Sequence, residues 1–297
     1  MPNQQYEHSG TLSRAKAKKQ TKGKPPKRNL PWFAWLLIAL GIVGVVIFVR
    51  IGQFSPDHGG NATAAIIDQL SASFQENEQF TANVTKELED YGFEVDVYQG
   101  GNVTVDFYRQ LPTYGYKLII FRAHSGLLEQ DGEVMLRTVV FTNEEYSESD
   151  YALEQVYDQL AMGRAGEGFP MMFGITPEFV RAQSVVGQAT DMEGRFDNTV
   201  IIMMGCSGIA LPDLAEAFID KGASVYLAWD RSVELYYVDE GTPYLIRQLC
   251  SEELTIREAV DSTMAEVGTD PQYGAELTYY YDPASHNGDK TLEELIG

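Results

Sequence analysis

Two side chains in this sequence have the type and setting for nucleophilic chemistry, Cys206 and His124. Each follows an apolar run. Residues 199–204 lead through Gly205 to Cys206, and residues 116–121 lead through Arg122 and Ala123 to His124. Runs of this kind read as buried strands of a parallel sheet. Such sheets place chemistry at the carboxyl ends of their strands. A free thiol is mostly protonated near neutral pH, so a Cys nucleophile needs a base or imidazolium beside it. Of the four histidines, His8 lies in a polar tail, His58 in a linker and His286 near the C-terminus, and only His124 ends a buried strand. The pair points to acyl transfer, with Cys206 as nucleophile and His124 as general base or acid. The backbone N–H groups of Ser125, Gly126 and Cys206 are expected to form an oxyanion hole, since each follows a strand end. Gly126 and Gly205 allow a substrate close to the backbone. The plain alternative is a small buried thiol and a hydrogen-bonded structural histidine.

The elements that must position this pair are legible around it. Residues 63–70 begin with a buried strand. In 75–91, Phe80, Val84, Leu88 and Tyr91 have helical spacing before Gly92, and 93–98 alternate like a strand. A short helix over 103–111 precedes the His124 strand. The order β-α-β-α-β predicts an α/β fold, a mostly parallel sheet sandwiched by helices, with right-handed crossovers. Residues 133–142 read as a strand or hairpin, and 149–162 as a helix with Leu153, Val156, Tyr157 and Leu160 on one face. The glycine-rich stretch 163–173 is a candidate loop over the site, and 179–186 is ambiguous. After Cys206 come a helix over 211–221 stopped by Gly222, a buried strand over 223–229, helices over 242–249 and 255–267, and a last strand within 274–281. Cys206 and Cys250 read as free thiols.

Charge divides the chain. Of 22 Lys/Arg and 43 Asp/Glu, nine bases and one acid fall in residues 1–50, so the remainder carries 13 bases against 42 acids, a net −29. So acidic a body disfavours nucleic acid and anionic lipid surfaces. Residues 1–28 are basic and lack apolar periodicity, which predicts a disordered tail. Residues 29–51 hold a run of about 20 uncharged residues, the length of a transmembrane helix, with Trp32 and Trp35 near one end. The basic flank predicts a signal anchor in the lipid bilayer of the cell membrane, N-terminus cytoplasmic. The linker 52–62 and a domain over 63–297 are then expected outside. Asn61, Asn83 and Asn102 open Asn-x-Thr sequons. There is no phosphate loop, HExxH motif or zinc spacing, so neither cofactor nor metal is expected.

The stretch Tyr116-Lys-Leu-Ile-Ile-Phe-Arg-Ala-His-Ser-Gly126 resembles the histidine block of the caspase-like clan of cysteine peptidases, which includes caspases, metacaspases, gingipains, clostripain and the CHAT domains. Val200-Ile-Ile-Met-Met-Gly-Cys-Ser-Gly208 resembles its cysteine block, and residues 214–229 are close to the segment that follows the cysteine in CHAT and gingipain relatives. The resemblance spans about residues 64–267. It implies a caspase-like fold, a Cys206/His124 dyad, and cleavage of a peptide or protein substrate after a side chain held in a deep pocket. Two departures stand beside the dyad. Ser125 intervenes where the clan usually has Gly directly after the histidine. Gly205 occupies the place where metacaspases and clostripain carry an acid that helps select Arg or Lys. Asp230 is then the acid best placed to bind a basic side chain, with helix N-capping as its alternative role. A membrane-anchored cysteine peptidase is the leading expectation. The others are a catalytically inactive ectodomain that binds a protein partner at the cell surface, and an unrelated flavodoxin-like domain.

Overall fold

The computed structural model describes residues 62–130, 133–166, 168–181, 192–251 and 254–297. The expected tail 1–28, anchor 29–51 and nearly all of the linker 52–62 lie outside the described residues. Among the described residues, no helix is long and apolar enough to cross a membrane. The chain runs β1 (Thr63–Asp68), α1 (Leu70–Ser73), α2 (Glu78–Tyr91), β2 (Glu94–Gln99), α3 (Val105–Gln110) and β3 (Leu118–Arg122). Then come β4 (Ser125–Gln130), β5 (Glu133–Glu145), α4 (Ala152–Val156), β6 (Leu160–Gly163), β7 (Met172–Ile175) and α5 (Pro177–Arg181). The last part is β8 (Thr199–Met203), α6 (Asp213–Asp220), β9 (Ala223–Trp229), α7 (Leu235–Ser251), α8 (Ile256–Val267), β10 (Leu277–Tyr280) and α9 (Leu292–Ile296).

The main sheet has the order β10-β9-β8-β3-β1-β2, parallel throughout except for β10. The central strands β1, β3, β8 and β9 are buried along their whole length, so their mostly apolar side chains feed two cores alternately. Ile119, Phe121, Ile201, Met203 and Tyr226 join one core with residues of α3, α5 and α6. Leu118, Ile120, Val200, Ile202 and Leu227 join the other with residues of α2, α7, α8 and α9. Each such side chain contributes about 1.5–3 kcal/mol on burial. The helices start and stop where their caps dictate. In α2 the Asn77 side chain accepts from Phe80 N–H, and Gly92, at φ 115°, ends the helix in a conformation that costs glycine little.

The parallel strands reverse direction of travel between β1 and β3, the switch point where open α/β sheets bind ligands. This order, β2-β1-β3-β8-β9, is shared with flavodoxin-like sheets. The antiparallel β10 and a second sheet inserted between β3 and β8, ordered β4-β5-β7-β6, go beyond it.

Three elements differ from the sequence reading. The helix expected over 149–162 is only α4. Left-handed Tyr151 and Asp158 bracket it, and the chain then turns into β6, which pairs with β7. The apolar stripe Leu153, Val156 and Tyr157 is exposed. The buried residue of α4 is Glu154, bonded at 3.0 Å to buried Arg109. The residues directly after His124 form β4, hairpinned to β5. Helix α7 begins seven residues before the expected 242, and it carries Pro243 inside it.

Candidate active site

Cys206 and His124 follow β8 and β3, neighbouring parallel strands. They line one cavity of ≈ 330 Å³, together with Ala123, Gly205, Val233, Glu234 and others. Both cysteines are free. Cys250 sits buried in α7, where burial, then Glu87, pushes its thiol up to about 12.

The turn after β8 is pinned to its neighbours. Ser207 N–H donates to Arg231 O at 2.8 Å, Ile209 N–H to Trp229 O at 3.2 Å, and Tyr226 Oη to Gly208 O at 3.1 Å. These bonds hold Ser207 at φ 53°, a left-handed conformation costing a non-glycine residue about 1–2 kcal/mol. The thiol faces Val233: Val233 N–H donates to Cys206 Sγ at 3.5 Å, and Sγ lies 3.6 Å from Val233 O. Helix α7 starts two residues later.

His124 is fixed from both sides. Its N–H donates to Gln69 Oε1 at 3.0 Å, and its carbonyl accepts from Phe141 N–H at 2.9 Å. Gln69 is buried at the end of β1 and is held in turn by Thr142 O and Asn143 Oδ1. The imidazole stands edge-on to Phe74 and Phe141, with centroids 5.7 and 5.9 Å away. Its Nε2 is buried with no hydrogen-bond partner among the described residues. Burial, and secondly the Arg122 guanidinium, hold the imidazole down to about 4. It is therefore neutral at pH 7. No hydrogen bond joins thiol and imidazole, so the resting pair is not a bonded ion pair.

That depressed value has a consequence for stability. Between pH 6.5 and 4 the unfolded chain binds a proton on this histidine that the folded chain refuses, so stability falls as pH drops through that window. At pH 4.5 the penalty is about 2–3 kcal/mol. Urea unfolding of wild type and His124→Gln at pH 7 and pH 4.5 should show the gap moving by that amount in favour of the variant. A gap unchanged between the two pH values contradicts the assignment.

Ser125 and Gly205 are partners. Ser125 Oγ donates to Cys206 O at 2.8 Å. A Cβ at position 205 would lie 2.2 Å from Ser125 Oγ and 2.4 Å from Ala123 O. The strand ends meet too closely for any side chain there. Ser125 opposes Val140 across the hairpin, and with Phe141 N–H donating to His124 O the antiparallel alternation turns the Gly126 amide into the ladder. Of the three expected oxyanion donors, Ser125 and Cys206 keep amides outside it.

Asp230 lines neither this cavity nor its neighbour. Its Oδ1 accepts from Glu276 N–H at 2.8 Å, and Oδ2 lies 3.7 Å from Arg231, so it neither caps a helix nor faces the thiol. The acid in the Cys206 cavity is Glu234, whose carboxylate has no hydrogen bond or ion pair among the described residues. No motif marks Glu234, because its position follows from where α7 starts. Also missed was a buried charge cluster under the site. Arg122 Nη1 meets Asp68 Oδ1 at 2.8 Å, and its Nε and Nη2 each meet Asp239 at 2.9 Å. Among the described residues no group of His, Cys, Asp and Glu is arranged to hold a metal ion.

Compared with known proteins, the chain matches no family model and no curated sequence.

Proposed function

We propose that this domain is a cysteine peptidase of caspase-like fold, carried on a membrane anchor over residues 29–51 and acting outside the cytoplasm. The observation that carries the proposal is an unpartnered imidazole nitrogen on the residue that shares a cavity with an accessible thiol. Cys206 attacks a peptide carbonyl and His124 takes the thiol proton and gives it to the departing amine. The Ser125 and Cys206 amides support the oxyanion. Water then hydrolyses the thioester. Glu234, without a cation of its own, favours an Arg or Lys side chain on the acyl side.

Hydrolysis of positional-scanning fluorogenic peptides by the full chain tests this. Wild type should cleave with about a tenfold or greater preference for Arg and Lys over neutral residues, Glu234→Gln should erase that preference, and Cys206→Ala should be inert. Equal turnover by Cys206→Ala sinks the peptidase reading. The second reading is a catalytically inactive ectodomain that binds a protein partner at the cell surface. It is favoured by one observation, the sulfur's contact with Val233 in place of His124.

A further inference from the structure

His124 lines a second cavity, of ≈ 320 Å³, which Cys206 does not reach. We propose that this cavity seats the residue on the amine side of the cleaved bond, and that it takes a bulky apolar side chain such as Leu, Met or Phe. The inference rests on the peptidase reading above. In that reaction a bond forms between Cys206 Sγ and the carbonyl carbon as the C–N bond breaks, and the thiol proton travels through the imidazole to the leaving nitrogen. Water later adds to the thioester and returns a proton to sulfur. The acyl portion therefore sits over Cys206, and the departing amine must sit at the imidazole. The chain beyond that amine leaves on the far side of His124, where the second cavity opens.

The walls fix the class of side chain. Ala72, Phe141, Phe169, Pro170 and Met172 are apolar. The cavity's two amides are already spent: Gln69 Nε2 donates to Asn143 Oδ1 at 2.8 Å, and Asn143 Nδ2 to Gln69 O and Gly100 O at 2.9 Å. Glu145 stands exposed among the lining residues and repels an acidic side chain. Gln69 follows β1 and His124 follows β3, so the cavity lies at the sheet's switch point. An independent sign is Phe74, which is 57% exposed while its ring stands against His124. Phe74 lines the Cys206 cavity, Phe169 the other, and their rings are 6.3 Å apart. A substrate running from one cavity to the other covers this aromatic pair.

The test uses the full chain and internally quenched peptides that differ only in the residue after the cleaved bond. Wild type should cleave the Leu peptide about 10- to 100-fold faster than the Gly peptide in kcat/KM, the selectivity of one apolar pocket. Ala72→Trp, at an exposed position of the lining, should bring that ratio below about threefold, since the indole takes the pocket. Equal rates for Leu and Gly peptides, with a coumarin amide of the same acyl sequence still hydrolysed, overturn this inference and leave the peptidase reading standing. No Cys206-dependent cleavage of either substrate type overturns both.

Discussion

Replacing Arg122 with Met is expected to cost the native state about 3–5 kcal/mol, the penalty for breaking a buried ion pair from one side. Arg122 and Asp68 are fully buried, and Asp239 nearly so. The guanidinium is the only cation bonded to either carboxylate among the described residues, and Nη1 also donates to Gln75 O at 2.9 Å. Among the described residues Asp68 Oδ2 already lacks a partner, so the cluster has no slack to absorb a lost donor. Removing the cation leaves two carboxylates in an apolar setting, where each must stay charged and unpaired or take up a proton. A domain's whole stability is about 5–15 kcal/mol, so the loss is a large share of it. Urea unfolding at pH 7 measures it. Lys117→Met is the control, since its partner Asp197 is largely exposed and a pair screened on that side is worth about 1 kcal/mol or less. A cost for Arg122→Met within that surface range contradicts this account. Arg122→Lys should rescue little, because an ammonium does not reproduce the fork gripping Asp239.

Gly205→Ala is expected to lower peptide hydrolysis by about 100-fold, the scale of a 1 Å displacement of a reacting group. The added methyl collides with Ser125 Oγ, which can rotate, and with Ala123 O, which cannot. The ends of β3 and β8 must part, and His124 and Cys206 are the next residues on those ends. Overpacking of this kind also costs about 1–3 kcal/mol. Adding Ser125→Gly removes the first clash and leaves the second, so the double variant should recover only part of the stability. Turnover near wild type in Gly205→Ala, measured on the same peptides, means that the cysteine turn does not depend on the close approach of the two strands.

Much of the frame was legible because its signals are local. The strand over 223–229 was read at its observed bounds, and the other strands of the main sheet were read within a few residues of theirs. Runs of β-branched and aliphatic residues covered on both sides leave little choice of element. Helix α8 was read over 255–267, and the structure starts it with the reciprocal bonds of a capping box between Thr255 and Glu258. Other features depended on tertiary partners. The apolar spacing of Leu153, Val156 and Tyr157 has the period of a core helix, yet the pairing of β6 with β7 and the Arg109–Glu154 bond decide that segment. Ser125 to Gln130 carries no strand signature of its own and is a strand because β5 lies beside it. Asp230 and Glu234 are four residues apart and chemically alike. Only the bond from Glu276 N–H to Asp230 and the start of α7 assign one to the sheet edge and the other to the cavity. Arg122 reads as an interruption in an apolar strand until Asp68 and Asp239 arrive from 54 and 117 residues away.

The central claim is that Cys206 is a nucleophile served by His124. The most direct measurement is labelling of the full chain by a peptidyl acyloxymethyl ketone with Arg at the reactive position, located by peptide mass spectrometry. Wild type should carry the label on Cys206, with none on Cys250, and His124→Gln should label more than about 100-fold slower, the scale of a general acid–base contribution. Equal labelling of wild type and Cys206→Ala, or a rate indifferent to His124→Gln, would contradict it.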